Sequence, residues 1–398
     1  MTSSVRRGPG LILLLGLLEA FGPLSMDLYM PALPELAQSL GTSDTLAQTT
    51  MSVCMIGLGV GQLIAGPLSD RYGRRRPLLI GIVAFTVFSI ACALAPSIEW
   101  LLVFRALQGI GGAAGMVVTL AIARDLFSGV ELSRMLSWLA LVGATAPIIA
   151  PILGGQLTLF MDWRGIFFVL SALGALLLVA ALLWLPESLS PERRSAGGGG
   201  VLLRDARVLL GPGFYRYILL ISSISGIAFF SYLSMSSFVL QNGFGISPQA
   251  FGVMFALGSV CNVIGSQSNR ALVGRFTPLS LYRFGLFLAF SGGAVAALSA
   301  GLGWGLAPFA AGLGVYLAST GFTLPNQTTL ALDDHGGRAG SAAALLGMSS
   351  LIVGPVVSPL VSLGGVTTHT LGYTMATAST VVLLIGALAL RPAKADPR

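Results

Sequence analysis

Long apolar runs, separated by short polar segments, dominate the chain. Most of them approach the length of about 20 residues that an α-helix needs to cross a bilayer. Helices satisfy their own backbone polar groups in lipid, whereas open sheets do not. The pattern therefore predicts an all-α membrane protein with twelve transmembrane helices. They cover residues 10–33, 45–68, 78–95, 99–123, 135–159, 165–185, 215–240, 249–273, 280–301, 304–327, 339–363 and 371–391.

The composition leaves no room for a large water-exposed domain. Of the 398 residues, 9% are charged, against about 25% in soluble proteins. The longest polar segment, residues 186–213, contains the four glycines 197–200, a pattern typical of a flexible link. We therefore predict two six-helix bundles, 1–185 and 214–398, joined by a linker at 186–213.

Charge predicts the orientation of the spans. When the spans are counted alternately, every Lys and Arg except Arg105 and Arg164 falls on one side. Because such residues favour the cytoplasmic side, both termini are expected there. The first run lacks a small-residue cleavage site and continues through acidic residues, so we interpret it as a retained span rather than a signal peptide.

Several classes of chemistry are not indicated. The net charge of +7 is dispersed at helix ends, which argues against a nucleic-acid partner. The three cysteines, Cys54, Cys92 and Cys261, lie in apolar runs and are expected to be buried free thiols. No zinc spacing and no P-loop occurs. We predict no metal, no cofactor and no enzymatic activity, because an intramembrane enzyme needs a His, Ser/Lys or metal constellation within its spans.

The first run, Gly10–Pro34, carries the carboxylates Glu19 and Asp27 with Pro23 between them. A carboxylate in a spanning helix costs about 2–3 kcal/mol and usually faces a bundle interior or a wet cavity. In a continuous helix the two would lie about 12 Å apart along the axis and within roughly 80° of one face. Pro23 is expected to bend the helix.

The two halves contain similar segments. Residues Ala146–Pro151 resemble Gly354–Pro359, and Gly66–Arg71 resembles Gly265–Arg270. Two half-chain repeats around a central cavity are typical of one large class of transporters.

The segment after the second run, GPLSDRYGRRR from Gly66 to Arg76, resembles the signature G-x-x-x-D-R-x-G-R-R of the major facilitator superfamily. The resemblance implies that family's fold of two pseudo-symmetric six-helix bundles. It also implies a cytoplasmic gate in which Asp70 bonds across to the other half while arginines supply charge partners and glycines permit a tight turn. The implied gate residues are Gly66, Asp70, Arg71, Gly73, Arg74 and Arg75. The alternative is a basic loop that only sets topology.

Arg105 lies inside the fourth run, where it stays charged and needs a partner. We expect Glu19 or Asp27 to be that partner, with Gln108 in the network. The glycines at 109–115 are interpreted as a packing seam rather than a dinucleotide loop, because no strand precedes them. The pattern R-x-x-Q-G resembles that of drug:proton antiporters. The alternative is a structural salt bridge without a role in coupling.

The fifth run resembles the antiporter motif G-x-x-x-G-P-x-x-G-G, although Ala146 replaces one glycine and Ala150-Pro151 interrupts the pattern. The resemblance implies export, and the alternative is ordinary tolerance of Gly and Pro in a spanning helix. The matching residues are Gly143, Pro147, Pro151, Gly154 and Gly155.

Three shorter segments resemble the bicyclomycin/chloramphenicol exporters of the superfamily: Met26–Pro34, Trp163–Phe167 and Ser236–Gln241. Glu19 departs from that branch and resembles multidrug exporters of broader specificity. Methionines and aromatics re-pack around varied ligands, although each is also an ordinary core or lipid-facing residue. The predicted substrate cavity comprises Asp27, Tyr29, Met51, Met55, Met116, Phe229, Tyr232 and Met235.

Together these features predict a monomeric drug:proton antiporter of the cell membrane that works by alternating access. Protons and a small, largely apolar drug of the chloramphenicol type would compete for Asp27, with Glu19 as a second site and Arg105 as their charge partner. The proton gradient would supply the energy. Export of an endogenous metabolite and proton symport remain alternatives on the same fold, and a non-transporting receptor is the alternative from another class.

Overall fold

The computed structural model describes residues 9–194, 208–211, 213–333 and 339–389, which are almost entirely helical. The first span comprises α1 (Pro9–Glu19), α2 (Phe21–Asp27) and α3 (Leu33–Ser39). The remaining helices of the first half are α4 (Asp44–Tyr72), α5 (Arg75–Ala93), α6 (Ile98–Leu126), α7 (Gly129–Leu157) and α8 (Trp163–Trp184). Those of the second half are α9 (Phe214–Phe238), α10 (Pro248–Leu272), α11 (Pro278–Leu302), α12 (Leu306–Leu332), α13 (Ala339–Val361) and α14 (Thr368–Ala389).

The first span is broken, and its axis bends by 46° after Glu19. The break follows from Pro23, which lacks the N–H that would donate to the Glu19 carbonyl one turn earlier. The bend expected at Pro23 is therefore present. The separation and angle calculated for Glu19 and Asp27 in a continuous helix do not apply, because the break lies between them.

Eleven described helices are long and apolar enough to cross a membrane, and the bent first span makes twelve. Each matches a predicted run to within a few residues, except that several helices extend a turn beyond it. The prediction of a twelve-span all-α protein is confirmed for the described part of the chain.

The chain divides into two compact units, residues 1–199 with 248–252 and residues 200–247 with 253–398. In the first unit, the first span packs on α7 and α8, both α4 and α5 pack on α6, and α5 also packs on α8. In the second unit, α9 packs on α13 and α14, and α11 packs on α12 and α14. Apart from the packing of α4 on α6, each of these contacts of the first unit has its counterpart among these contacts of the second, as expected from the repeated segments. Half of the predicted linker at 186–213, residues 195–207 and 212, lies outside the described residues.

Glycines bring α4 and α6 into close contact. A Cβ atom at Gly57 would lie 2.2 Å from the Ala106 carbonyl oxygen, and one at Gly109 would lie 2.2 Å from the Cys54 carbonyl oxygen. The predicted packing seam on the fourth span is thus confirmed. It brings backbone and side chains of α4 within reach of Arg105 on α6.

Candidate functional site

Arg105 lies in the interior of the first unit with no solvent exposure. Its guanidinium donates to Gln108 Oε1 at 2.6 Å, to the Ser25 carbonyl at 3.1 Å and, through Nε, to the Thr50 carbonyl at 3.4 Å. These acceptors belong to α6, α2 and α4. One side chain therefore joins three helices through neutral oxygens.

Two aromatic rings complete the surroundings of Arg105. Its guanidinium carbon lies 4.3 Å from the centre of the Tyr29 ring and 5.5 Å from that of Phe167. A desolvated cation over an aromatic face gains about 2 kcal/mol. The Thr50 hydroxyl donates to the Ala47 carbonyl at 2.6 Å, so the Tyr29 hydroxyl, 2.9 Å from Thr50 Oγ1, is the donor to Thr50. The Tyr29 ring is thereby held under the guanidinium.

Gln108 extends the hydrogen-bond network of Arg105 to α5. Its Nε2 donates to Ser89 Oγ at 2.7 Å, and the Ser89 hydroxyl donates to the Phe85 carbonyl at 2.7 Å. Gln108 and Ser89 are both fully buried. The prediction that Gln108 belongs to the Arg105 network is confirmed.

The two carboxylates stand apart from this network. Asp27 is 7% exposed, and its carboxylate makes no hydrogen bond or ion pair with a described residue. Glu19 Oε2 is buried and without a partner among the described residues, as is the Nη2 atom of Arg105. The expected ion pair between Arg105 and Glu19 or Asp27 is therefore wrong for this structure. The short helix α2 ends at Asp27, so the Ser25 carbonyl, in its last turn, is available to bind the guanidinium instead.

The second half supplies no comparable carboxylate. Its sequence contains no Asp or Glu from Gly213 to Leu332 or from Ala339 to Ala389. Any acid that binds a proton inside the described spans must come from the first unit.

Replacement of Arg105 by Lys is expected to lower the thermal stability of the protein even though the charge is kept. A lysine ammonium cannot reproduce the planar fork that reaches three helices at once, and each lost hydrogen bond to a charged group costs about 1.5–3 kcal/mol. Thermal unfolding of the purified protein in detergent measures the loss.

Arg164→Lys is the matched control for that variant. Arg164 also lies over an aromatic ring, Trp163, at 4.1 Å and donates to the Ala95 carbonyl at 3.0 Å, but its bonds are partly exposed. We expect Arg164→Lys to change stability much less. Equal losses in the two variants would contradict a special role for the buried network.

The turn between α4 and α5 centres on Arg74. Gly73 has a φ of +91°, which favours glycine, and orients the chain so that Arg74 turns inward. The Arg74 guanidinium forms ion pairs with Asp70 and, at 2.9 Å, with Asp125 at the end of α6, and donates to Ser69 Oγ at 2.8 Å. Burial opposes the charge, but the bonds from these two carboxylates outweigh it and raise the pKa of Arg74. We call Ser69, Asp70, Arg74, Asp125 and Glu187 the Arg74 cluster.

Glu187 joins this cluster from beyond α8. Its carboxylate accepts the backbone N–H groups of Arg74 at 2.8 Å and Arg75 at 3.3 Å, and so caps the start of α5. The Arg75 guanidinium donates to the Leu182 carbonyl at 2.8 Å. Ser188 donates to Asp125 at 3.0 Å. The first residues of the predicted linker are thus bound to the turn.

The structure corrects two expectations for this segment. Gly66 lies inside α4 rather than in the turn, so Gly73 alone provides the unusual backbone angle. Arg71 is exposed and lies over the Tyr72 ring at 5.2 Å rather than beside a described carboxylate. The contact of Asp70 with the other half stays a prediction. The sequence analysis did not identify Asp125 and Glu187 as members of this cluster. The signal in the sequence was an acidic residue at the end of α6 and another shortly after α8.

The residues of the fifth-span motif lie along the uninterrupted helix α7. Gly154 packs against the Leu28 carbonyl, immediately after Asp27, where an added Cβ would lie 2.0 Å from the oxygen. A Cβ at Gly143 would meet nothing within 4 Å. Pro151 and Gly155 are buried and Pro147 is partly buried. One end of the motif therefore contacts the first span directly after Asp27.

The predicted cavity residues lie in different surroundings. Tyr29 and Met51 are fully buried, and Met116 packs against Gly22. Met55 is partly buried.

The predicted cavity residues of the second unit also differ in their surroundings. The Tyr232 ring stacks on that of Phe255, with 5.5 Å between the ring centres, and Tyr232 lines a cavity of about 160 Å³. Met235 is buried, and Phe229 is 36% exposed. A shared substrate cavity stays a prediction.

Comparison with known proteins shows the family. Residues 15–359 match the model of the Major Facilitator Superfamily. The chain is 39% identical over 386 residues to an uncharacterized MFS-type transporter, YdgK, of Bacillus subtilis, covering 95% of this chain and 94% of that one. It is 30% identical to a bicyclomycin resistance protein homolog of Haemophilus influenzae, covering 88% of each. It is 31% identical to a chloramphenicol resistance protein of Pseudomonas aeruginosa, covering 72% and 68%.

Solved structures support the same fold. A point mutant of the nucleoside transporter NupG superposes with a TM-score of 0.80 at 14% identity, covering 95% of this chain and 99% of that one. A D-xylose-proton symporter superposes with a TM-score of 0.73 at 15% identity, covering 94% and 96%. At such low identity they show the fold alone. The chain belongs to the major facilitator superfamily, and its relatives place it in the bicyclomycin and chloramphenicol resistance branch that its motifs indicated.

Proposed function

We propose that this protein is a proton-coupled drug exporter that exchanges protons for small, largely apolar antibiotics by alternating access. The observation that carries the proposal is the buried carboxylate of Asp27, which has no partner among the described residues. A group of this kind is costly in a membrane interior and marks a functional site by default.

Proton and drug compete for Asp27 in this mechanism. An ionised, unpaired carboxylate in the bundle is costly, and either a proton or a polar group of the drug relieves that cost. Arg105 forms no ion pair with Asp27 in this structure, and its Nε and Nη1 atoms donate to oxygens of Thr50, Ser25 and Gln108. The cation instead fixes the geometry of the segment that carries Asp27. Glu19, whose Oε2 atom is also without a partner among the described residues, serves as the second site.

Direction and substrate class are inferred from similarity. Relatives named for bicyclomycin, chloramphenicol and multidrug resistance support export of antibiotics. The motif on α7, which resembles that of antiporters, favours the same direction. The distribution of Lys and Arg favours cytoplasmic termini in a cell membrane. We expect a monomer, since each bundle is complete within one chain.

Transport by the purified protein in liposomes tests the proposal. With no ATP present, an imposed pH gradient is expected to drive chloramphenicol and ethidium against the direction of proton flow, and a protonophore is expected to abolish the movement. Liposomes without protein and liposomes without a gradient are the controls. Movement of drug in the same direction as protons would favour symport, and no movement of either drug would direct the search to endogenous metabolites.

A further inference from the structure

A groove of about 400 Å³ runs along the surface of the first unit between α4 and α5, with α6 as its floor. Its volume lies in the range of ligand sites, about 300–1,000 Å³. Small residues form the floor, among them Gly111 and Ala114, and Ile64, Ile80 and Ala84 form the sides. Ile80 is 69% exposed and Ile64 is 46% exposed. The groove is therefore apolar and open along helices that span the membrane.

One end of the groove carries a cation without a counter-charge among the described residues. Tyr72 and Arg76 line the groove where α4 ends and α5 begins. Of the three consecutive arginines here, Arg74 is paired with carboxylates and Arg75 donates to the Leu182 carbonyl. Arg76 is exposed, and its guanidinium makes no hydrogen bond or ion pair with a described residue.

We propose that this groove binds an anionic phospholipid, with one acyl chain between α4 and α5 and the phosphate on Arg76. An apolar groove open to the bilayer core is filled by acyl chains, since water there would meet no polar partner. Its charged end lies at a helix terminus, the level at which Tyr and Arg meet lipid headgroups. Basic pockets between spanning helices bind anionic headgroups in the same way. The site is separate from Asp27 and Arg105 and does not depend on the proposed transport function.

Lipid retention by the delipidated, detergent-purified protein tests the site. Native mass spectrometry after addition of dioleoyl phosphatidylglycerol or dioleoyl phosphatidylcholine is expected to show preferential retention of the anionic lipid. Arg76→Gln is expected to reduce that preference about fivefold, the effect of one basic residue near an anionic lipid surface. Arg134→Gln is the matched control, because it removes the same charge from an exposed position on α7 outside the groove.

A second pair of variants tests the acyl chain. Ala84→Leu and Ile80→Trp place bulk in the groove while Arg76 is kept, and both are expected to reduce retention of either lipid. The exposed position of Ile80 keeps the test valid if the change at Ala84 impairs folding. The proposal is overturned if Arg76→Gln keeps the wild-type preference, if Arg134→Gln loses it equally, or if both groove variants bind lipid as the wild type does.

Discussion

Replacement of Asp27 by Asn is expected to abolish the acceleration of drug export by a pH gradient. Asn keeps the size of the side chain but cannot bind and release a proton. Because no described residue bonds to Asp27, the change leaves no buried group newly unpaired, and we expect unchanged or higher thermal stability. The loss should therefore lie in coupling alone. Drug flux in liposomes, measured with and without the gradient, is expected to be equal for this variant.

Glu19→Gln is the matched control for that experiment. It also removes a carboxylate from the first span, but from α1, before the break. We expect the gradient to accelerate chloramphenicol export in this variant, though less than in the wild type. If Asp27→Asn is accelerated by the gradient as much as the wild type is, then Asp27 does not carry the proton. If Glu19→Gln alone abolishes the acceleration, the roles of the two carboxylates are reversed.

The spans and the fold were predictable from the sequence because lipid imposes one strong rule, that apolar runs of sufficient length become helices. The break after Glu19 was also predictable in kind, since proline removes a specific hydrogen bond. The effect of the break on Asp27 was not predictable from the sequence. The position of its carboxylate depends on how the three helical segments of the first span, α1 to α3, pack.

The partners of Arg105 could not be read from the sequence for a related reason. A pattern of residues shows which side chains carry charge, and a buried arginine then suggests an acid. In the structure, the acceptors at Ser25 and Thr50 are backbone carbonyls, which every residue possesses and no pattern singles out. Ser89 was missed as well, because a serine in an apolar span is common and identifies no partner. Gln108 was predicted because it lies one turn from Arg105 on the same helix.

The Arg74 cluster shows the limit of a motif. The signature identified the turn and its arginines, and Arg74 does form the expected ion pair with Asp70. The cluster also requires Asp125 and Glu187, which lie 51 and 113 residues from Arg74 along the chain. Contacts over such separations depend on which helices become neighbours, and one sequence contains no direct record of that.

The fifth-span motif yields the other large expected effect. Gly154→Ala should destabilise the protein and impair export, because its new methyl group would lie 2.0 Å from the Leu28 carbonyl oxygen. Neither partner is a flexible side chain, so the backbone of α7 or of the residues directly after α2 must shift. Overpacking of this kind costs about 1–3 kcal/mol, more than the roughly 0.5–1 kcal/mol that alanine gains over glycine in a helix.

Gly143→Ala separates this effect from the general preference for small residues in spanning helices. Gly143 belongs to the same motif and the same helix, but an added methyl group there meets nothing within 4 Å. We expect it to be neutral or slightly stabilising, with export retained. Thermal unfolding in detergent and gradient-driven export in liposomes should therefore rank Gly143→Ala at or above the wild type and Gly154→Ala below it. Equal behaviour of the two variants would mean that the motif reflects ordinary tolerance of glycine. The expected ranking would instead tie the motif to the position of Asp27, since Leu28 is its neighbour in the chain.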